Sequence, residues 1–115
     1  MAGLSILIPT LNEGRRLPLL LADLARWPHG LQVIVIDGGS QDQTTAVADL
    51  AGVKTLTSPE RGRGQQLIHG MAAARHDWTL VLHADSRLPR RWCSAVQRVI
   101  NHPVSYTHLT LPTKA

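Results

Sequence analysis

The sequence is poor in aromatic residues and in cysteine, and both shortages limit what the protein can be. Three Trp, one Tyr and no Phe occur among its 115 residues, so the core must be built from Leu, Ile, Val and Ala. The single cysteine, Cys93, excludes a disulfide framework and a multi-cysteine zinc site within one chain. A small, half-buried helix residue is a better interpretation of Cys93 than a nucleophile.

Long apolar runs are also missing. The chain contains no apolar stretch of about 18 residues, the length of a transmembrane helix. Its N-terminus lacks the basic and then apolar segments of a secretory signal. We therefore expect a cytoplasmic protein without evident membrane association. Hydrophobic residues make up 43% of the chain and charged residues 17%, a composition that fits one folded domain.

Positive charge exceeds negative charge, with 12 Lys and Arg against 8 Asp and Glu. Several of the arginines lie in two short segments, 61–63 and 87–91. A basic surface suits an anionic partner. Because these arginines stand beside Gly and Pro rather than aromatic residues, the pattern favours a phosphate-bearing small molecule over nucleic acid.

Apolar strand-like runs alternate with helix-like segments along the chain. Strands are predicted at 4–8, 33–36, 53–57 and 77–84, and a helix is predicted after each. This order predicts an α/β fold, a parallel sheet with helices on both faces.

Local signals set some of the expected boundaries. Pro9 is expected to end the first strand, and Ser40 with Gln43 has the form of a capping box. The helix that follows is expected to turn Leu50 towards the core. The continuous run Leu80 to Leu82 predicts a fourth strand buried on both faces.

Polar residues follow every predicted strand. The carboxyl ends of parallel strands meet at one edge of a sheet, so the four loops are expected to converge there. Scaffold roles compete with site roles, since Asp42 could serve as a helix cap and Glu13 could favour a helix dipole. The candidates are Thr10, Asn12, Glu13, Asp37, Asp42, Arg61, Arg63, His83 and Asp85.

Two generic nucleotide-binding motifs are excluded. The segment from Gly62 to Leu67 begins like a dinucleotide fingerprint but lacks the third glycine and follows the wrong strand. No Gly-x-x-x-x-Gly-Lys-Ser/Thr sequence occurs, so a P-loop is not predicted.

Four blocks together resemble family 2 glycosyltransferases. They are Ile8-Pro9-Thr10-Leu11-Asn12-Glu13, Val35-Ile36-Asp37-Gly38-Gly39-Ser40-Gln41-Asp42, Gly62-Arg63-Gly64 with Gln66, and Leu82-His83-Ala84-Asp85-Ser86-Arg87-Leu88-Pro89. The last block is similar to a bacterial subgroup whose metal motif reads His-Ala-Asp. The resemblance covers about residues 4–100, in the right order and spacing.

The resemblance implies a Rossmann-like GT-A fold, a nucleotide-diphosphate sugar donor and a divalent cation, Mg²⁺ or Mn²⁺. By position, the donor nucleotide would be bound by Pro9, Thr10, Glu13, Asp37, Asp42 and Arg63. Asp37 would contact the base, and Arg63 would lie near the phosphates. Asp85 would bind the metal, with His83 as a further candidate ligand. Such a cation neutralises charge that develops on the leaving diphosphate.

The resemblance also sets expected boundaries. Residues 1–103 are expected to form an incomplete nucleotide-binding domain. The last segment has Thr and Leu without helical periodicity and no further strand–helix unit, so 104–115 is expected to be a non-native or disordered tail. The general base and the acceptor-binding half would lie beyond residue 100, so this chain is expected to retain donor binding only. The implied transfer is inverting, and the acceptor stays open.

Two other functions remain as alternatives. In a non-catalytic α/β interaction domain, the strand-end polar residues would serve only as caps and solvated groups. A nucleotidyltransferase shares the sheet topology and metal use. Its usual Gly-rich, basic loop after the first strand is absent, because Pro9 to Glu13 stands there.

Overall fold

The computed structural model describes residues 3–60 and 62–102 as one four-stranded parallel sheet with helices between its strands. The sheet order is β3-β2-β1-β4. The α/β prediction is therefore confirmed. The predicted tail, 104–115, lies outside the described residues. The elements are β1 (Leu4–Thr10), α1 (Leu17–Leu24), β2 (Leu31–Asp37), α2 (Thr44–Leu50), β3 (Lys54–Thr57), α3 (Arg63–Ala73), β4 (Trp78–Val81) and α4 (Trp92–Asn101).

Side chains alternate between two cores on opposite faces of the sheet. Ile6 and Ile8 of β1 belong to the larger core, which also contains Leu17, Leu20 and Leu24 of α1. Leu7 of β1 faces the other way, into a smaller core beneath α3. This alternation follows from the two-residue period of a strand and explains why the central strands read as continuous apolar runs.

The prediction that the fourth strand is buried on both faces was wrong. β4 pairs with β1 alone among the described strands, and its register ends at Leu7 opposite Val81. Val81 is 46% exposed, whereas Leu82, just after the strand, is buried. The apolar run therefore belongs to a short strand at the edge of the described sheet.

Pro9 does not end β1. The strand continues to Thr10, which pairs with Asp37 of β2. Pro9 follows Leu7 at a two-residue interval, so its nitrogen points towards β4. Because the β1–β4 pairing has already stopped at Leu7, the missing N–H group leaves no hydrogen bond unmade there.

The expected capping box is also absent. The Ser40 hydroxyl donates to the Asp37 carboxylate, and α2 begins only at Thr44, with no side-chain cap hydrogen bond from Gln43. Thr44 and Ala48 form the buried side of α2, while Leu50 is 90% exposed. In the described part of the chain, no helix has the length and apolar character needed to cross a membrane.

Candidate functional site

The loops after the strands surround one open cleft at the carboxyl edge of the sheet. Its volume is about 980 Å³. Six of the predicted donor and metal residues line it, which confirms that the loops converge. These are Pro9, Thr10, Glu13, Arg63, His83 and Asp85.

Asp37 and Asp42 do not line this cleft. Asp37 is 3% exposed at the end of β2, directly behind the loop that forms the wall. Asp42 is exposed but turns its carboxylate towards Gly14 and Thr44. The structure therefore brings most of the predicted residues together at the surface of the cleft and places these two carboxylates beneath or beside it.

The carboxylate of Asp37 is saturated by donors from its own protein. One oxygen accepts from the hydroxyls of Thr10 at 2.8 Å and Ser40 at 2.6 Å. The other accepts from the backbone N–H groups of Gly39 at 3.0 Å and Ser40 at 2.8 Å. Burial raises the pKa of Asp37, but these hydrogen bonds outweigh it and leave that pKa below the ordinary value. Asp37 is thus an ionised anchor for the loop from Gly38 to Ser40.

A second set of hydrogen bonds joins the loop after β1 to the loop after β2. The Asn12 backbone N–H donates to the Ser40 hydroxyl at 2.8 Å, and the Asn12 side-chain oxygen accepts from the Gln41 N–H at 2.8 Å. Asn12 has a φ of 55°, a conformation that Asn tolerates better than most residues.

Asp42 extends this connection. It accepts from the Gly14 N–H at 3.0 Å and the Thr44 N–H at 2.9 Å. The Thr44 hydroxyl also donates to it, and this bond lowers the Asp42 pKa. Asp42 is placed where it orders the loops; it contacts the first residue of α2, whose N-cap is Gln43.

Gln66 is a structural residue of the site whose role the sequence did not reveal. It is 6% exposed on α3, and its amide nitrogen donates to the carbonyl oxygens of Thr10 at 3.0 Å and Ile36 at 2.7 Å. One side chain thereby joins α3 to the ends of β1 and β2. Nothing local in the sequence identifies these partners, which are 56 and 30 residues away.

Gln66→Leu is expected to destabilise the fold by about 1 to 3 kcal/mol, because it leaves buried carbonyl groups with fewer donors. Urea unfolding followed by tryptophan fluorescence measures the change. Gln65→Leu is the matched control at the neighbouring, half-buried position, and its expected effect is below about 0.5 kcal/mol. Equal losses in the two variants would contradict the role given to Gln66.

Residues 5–112 match the model of glycosyl transferase family 2. The chain belongs to that family. An uncharacterized glycosyltransferase of Mycobacterium tuberculosis is 33% identical over an alignment of 90 residues that covers 76% of this chain and 40% of that protein. A PGL/p-HBAD biosynthesis glycosyltransferase of the same organism is 33% identical over 91 residues, covering 73% and 36%. The chain thus spans about two fifths of the length of these curated relatives.

Solved structures of other proteins have the same fold. S. aureus TarS has a TM-score of 0.78 at 20% identity, over 86% of this chain and 32% of that one. M. tuberculosis glucosyl-3-phosphoglycerate synthase, crystallised with Mn²⁺, UDP and glucosyl-3-phosphoglycerate, has a TM-score of 0.73 at 22% identity. That match covers 92% of this chain and 41% of the synthase chain. The predicted Rossmann-like GT-A architecture is confirmed.

The residues after β4 fit the divalent cation that family 2 membership implies. Asp85 and His83 both line the cleft, and Asp85 is half-buried. Within residues 3–60 and 62–102, no group of three or more His, Cys, Asp or Glu side chains could hold a metal by itself. A donor set of one carboxylate suits an ion such as Mg²⁺, which is commonly bound by one or two carboxylates together with substrate phosphates.

Arg16 lies beside the expected metal ligand. Its guanidinium is 3.6 Å from the Asp85 carboxylate, and both side chains are partly exposed. Such an exposed ion pair contributes about 1 kcal/mol or less to stability. The carboxylate can therefore exchange Arg16 for another cation at little cost to the fold.

Proposed function

We propose that this chain forms the donor-binding half of a glycosyltransferase that uses a nucleotide-diphosphate sugar. The observation that carries the proposal is that Arg63, on one wall, and Asp85, on an acidic loop, line the same cleft. A nucleotide diphosphate needs a contact for its nucleoside, cationic groups for its phosphates and a carboxylate for its metal. Family membership favours sugar transfer over the interaction-domain and nucleotidyltransferase alternatives.

Pro9, Thr10 and Glu13 would receive the nucleoside, on the wall built by the end of β1. The loop anchored by Asp37 would form the adjoining wall. Helix α3 begins at Arg63 in the cleft, so its first backbone N–H groups and the guanidinium both suit phosphate oxygens. The base contact that the family resemblance implies for Asp37 is kept as part of this proposal, although the Asp37 carboxylate already accepts four hydrogen bonds within the protein.

Asp85, with His83 beside it, would hold Mg²⁺ or Mn²⁺. When bound, the cation would neutralise negative charge on the departing nucleotide diphosphate. We assign no general base to the described residues, and the base and the acceptor site are proposed to belong to the remainder of the family's length. An inverting outcome and a cytoplasmic location stay predictions.

Calorimetric titration of the full chain with UDP, GDP and ADP, each with Mn²⁺ and with EDTA, tests the proposal. We expect at least one nucleotide diphosphate to bind, and Mn²⁺ to tighten that binding by about tenfold or more. The matching nucleoside monophosphate is the control, because it keeps the base and lacks the diphosphate. A folded chain that binds none of the diphosphates would overturn the proposed function.

A further inference from the structure

A buried carboxylate lies behind the loop that carries His83 and Asp85. Asp23, on the inner side of α1, is 3% exposed. It accepts two hydrogen bonds from the Arg87 guanidinium, at 2.8 and 3.1 Å, and one from the Leu88 backbone N–H at 3.0 Å. Arg26, in the turn directly after α1, donates a fourth at 2.9 Å.

These bonds fix the end of the loop that begins with the proposed metal ligands. Arg87 and Leu88 follow Asp85 by two and three residues. The Ser86 N–H donates to the His83 carbonyl at 3.0 Å, so His83 and Asp85 lie within a hydrogen-bonded turn that ends directly before Arg87. A displacement at Arg87 would therefore move Asp85 with it.

The anchor is also joined to α4. The Trp92 indole N–H donates to the Asp23 carbonyl oxygen at 2.9 Å, and the Trp92 ring stacks on Trp27 at a centroid distance of 5.3 Å. Trp92 is fully buried. Asp23 thus binds both ends of the segment 87–92 to α1, its side chain at one end and its backbone at the other.

We propose that Asp23 is a positioning residue for cation binding, which holds the Asp85 loop against α1 through Arg87 and Leu88. This inference rests on the proposed function, because it takes Asp85 to be the metal ligand. The Asp23 carboxylate, which does not line the cleft, would then affect the affinity of the Asp85 loop for a metal and its nucleotide. Outer groups that orient metal ligands commonly change metal affinity by about 10- to 100-fold when they are mutated.

The charged state of Asp23 supports a permanent anchor. The hydrogen bonds from Arg87 lower the pKa of Asp23 to about 2, in spite of burial. The carboxylate is therefore ionised throughout the pH range in which a metal and a nucleotide would be titrated. The two arginines differ in what they hold, since Arg26 lies in the turn directly after α1 and Arg87 lies in the loop after β4.

Arg87→Gln and Arg26→Gln form a matched pair for the test. Both arginines donate to Asp23, and they are similarly exposed, at 45% for Arg87 and 42% for Arg26. The affinity for whichever of UDP, GDP and ADP the wild-type chain binds is measured by calorimetry with Mn²⁺ and with EDTA, and the ratio of the two affinities is the readout. We expect Arg87→Gln to reduce this ratio about tenfold without changing the affinity in EDTA, and Arg26→Gln to keep the wild-type ratio.

A purely structural role would shift the unfolding midpoint of both variants and leave the ratio alone. That result, or an equal fall of the ratio in both, would overturn the positioning role. Arg87→Lys keeps the charge but loses the two-pronged contact, and an intermediate ratio is expected. Arg87→Lys also replaces Arg87→Gln in the test if Arg87→Gln does not fold.

A wild-type chain in which Mn²⁺ tightens the binding of none of UDP, GDP and ADP would contradict the proposed function instead. In that case, amide hydrogen exchange at Leu88 tests whether Asp23 holds the loop, because the Leu88 N–H donates to Asp23. Arg87→Gln must speed exchange there relative to Arg26→Gln, and unchanged exchange would overturn the hold of Asp23 on the loop.

Discussion

Asp85→Asn is expected to abolish the Mn²⁺-dependent part of nucleotide binding and to leave the metal-free affinity within about twofold of wild type. The amide keeps the size of the side chain but loses the negative charge, and a neutral amide is a far weaker ligand for Mg²⁺ or Mn²⁺. Calorimetry with UDP, in Mn²⁺ and in EDTA, measures both affinities. A loss of about 10- to 100-fold in the Mn²⁺ arm alone is the expected result.

Arg16→Gln is the control for this variant. It removes the same 3.6 Å ion pair from the opposite side while keeping the carboxylate. We expect it to retain the Mn²⁺ dependence, and to bind Mn²⁺ somewhat more tightly because the competing guanidinium is gone. Loss of the Mn²⁺ effect in Arg16→Gln but not in Asp85→Asn would exclude Asp85 as the ligand.

Neither variant is expected to disturb the fold. Asp85 is 38% exposed and Arg16 is 56% exposed, so their ion pair is solvated and contributes about 1 kcal/mol at most. Thermal unfolding midpoints should therefore stay within a few degrees of wild type. Unchanged midpoints would show that a loss of Mn²⁺-dependent binding in Asp85→Asn comes from the lost ligand and not from unfolding. An enzyme site predicts this loss of binding with the fold kept, whereas an interaction domain does not.

The fold was predictable because its signals are local. Each strand is a short apolar run that ends in a polar loop, and strict alternation with helical patterns leaves a parallel sheet as the natural arrangement. The convergence of the loops at Asp85 and Arg63 follows from that topology alone. The end of β1 was less predictable, because the effect of Pro9 depends on which neighbouring strand its nitrogen faces.

The supports of the site were not predictable in the same way. Asp23 stands in an amphipathic helix, where a carboxylate on the apolar side has no local explanation. Its partners Arg87 and Leu88 lie 64 and 65 residues away. In the sequence Gln66 looks like an ordinary helical residue, and only the structure shows that its side chain contacts carbonyl groups of β1 and β2. Long-range polar contacts of this kind need three-dimensional proximity, which residue spacing does not contain.

Asp37→Ala is expected to destabilise the protein by about 3 kcal/mol. The change removes the acceptor for two backbone N–H groups and two hydroxyls, of which the Thr10 hydroxyl is buried and the Gly39 and Ser40 donors are part-buried. Because the pKa of Asp37 is lowered in the fold, its contribution is present above the ordinary value of 3.8 and is lost as the pH falls below it. Urea unfolding at pH 7 and at pH 3 should show a smaller difference from wild type at the lower pH.

Asp37→Asn divides the scaffold role from a contact with the nucleotide. The amide oxygen can accept from the N–H groups of Gly39 and Ser40, while the amide nitrogen donates to the Thr10 and Ser40 hydroxyls, which can turn to accept. We therefore expect a loss of only about 1 kcal/mol and a folded protein. Calorimetry on that protein then compares its affinity for UDP with its affinity for ADP, which carries adenine in place of uracil. If Asp37 only anchors the loop, both affinities stay near wild type, whereas a selective loss of UDP binding would show that its carboxylate contacts the base.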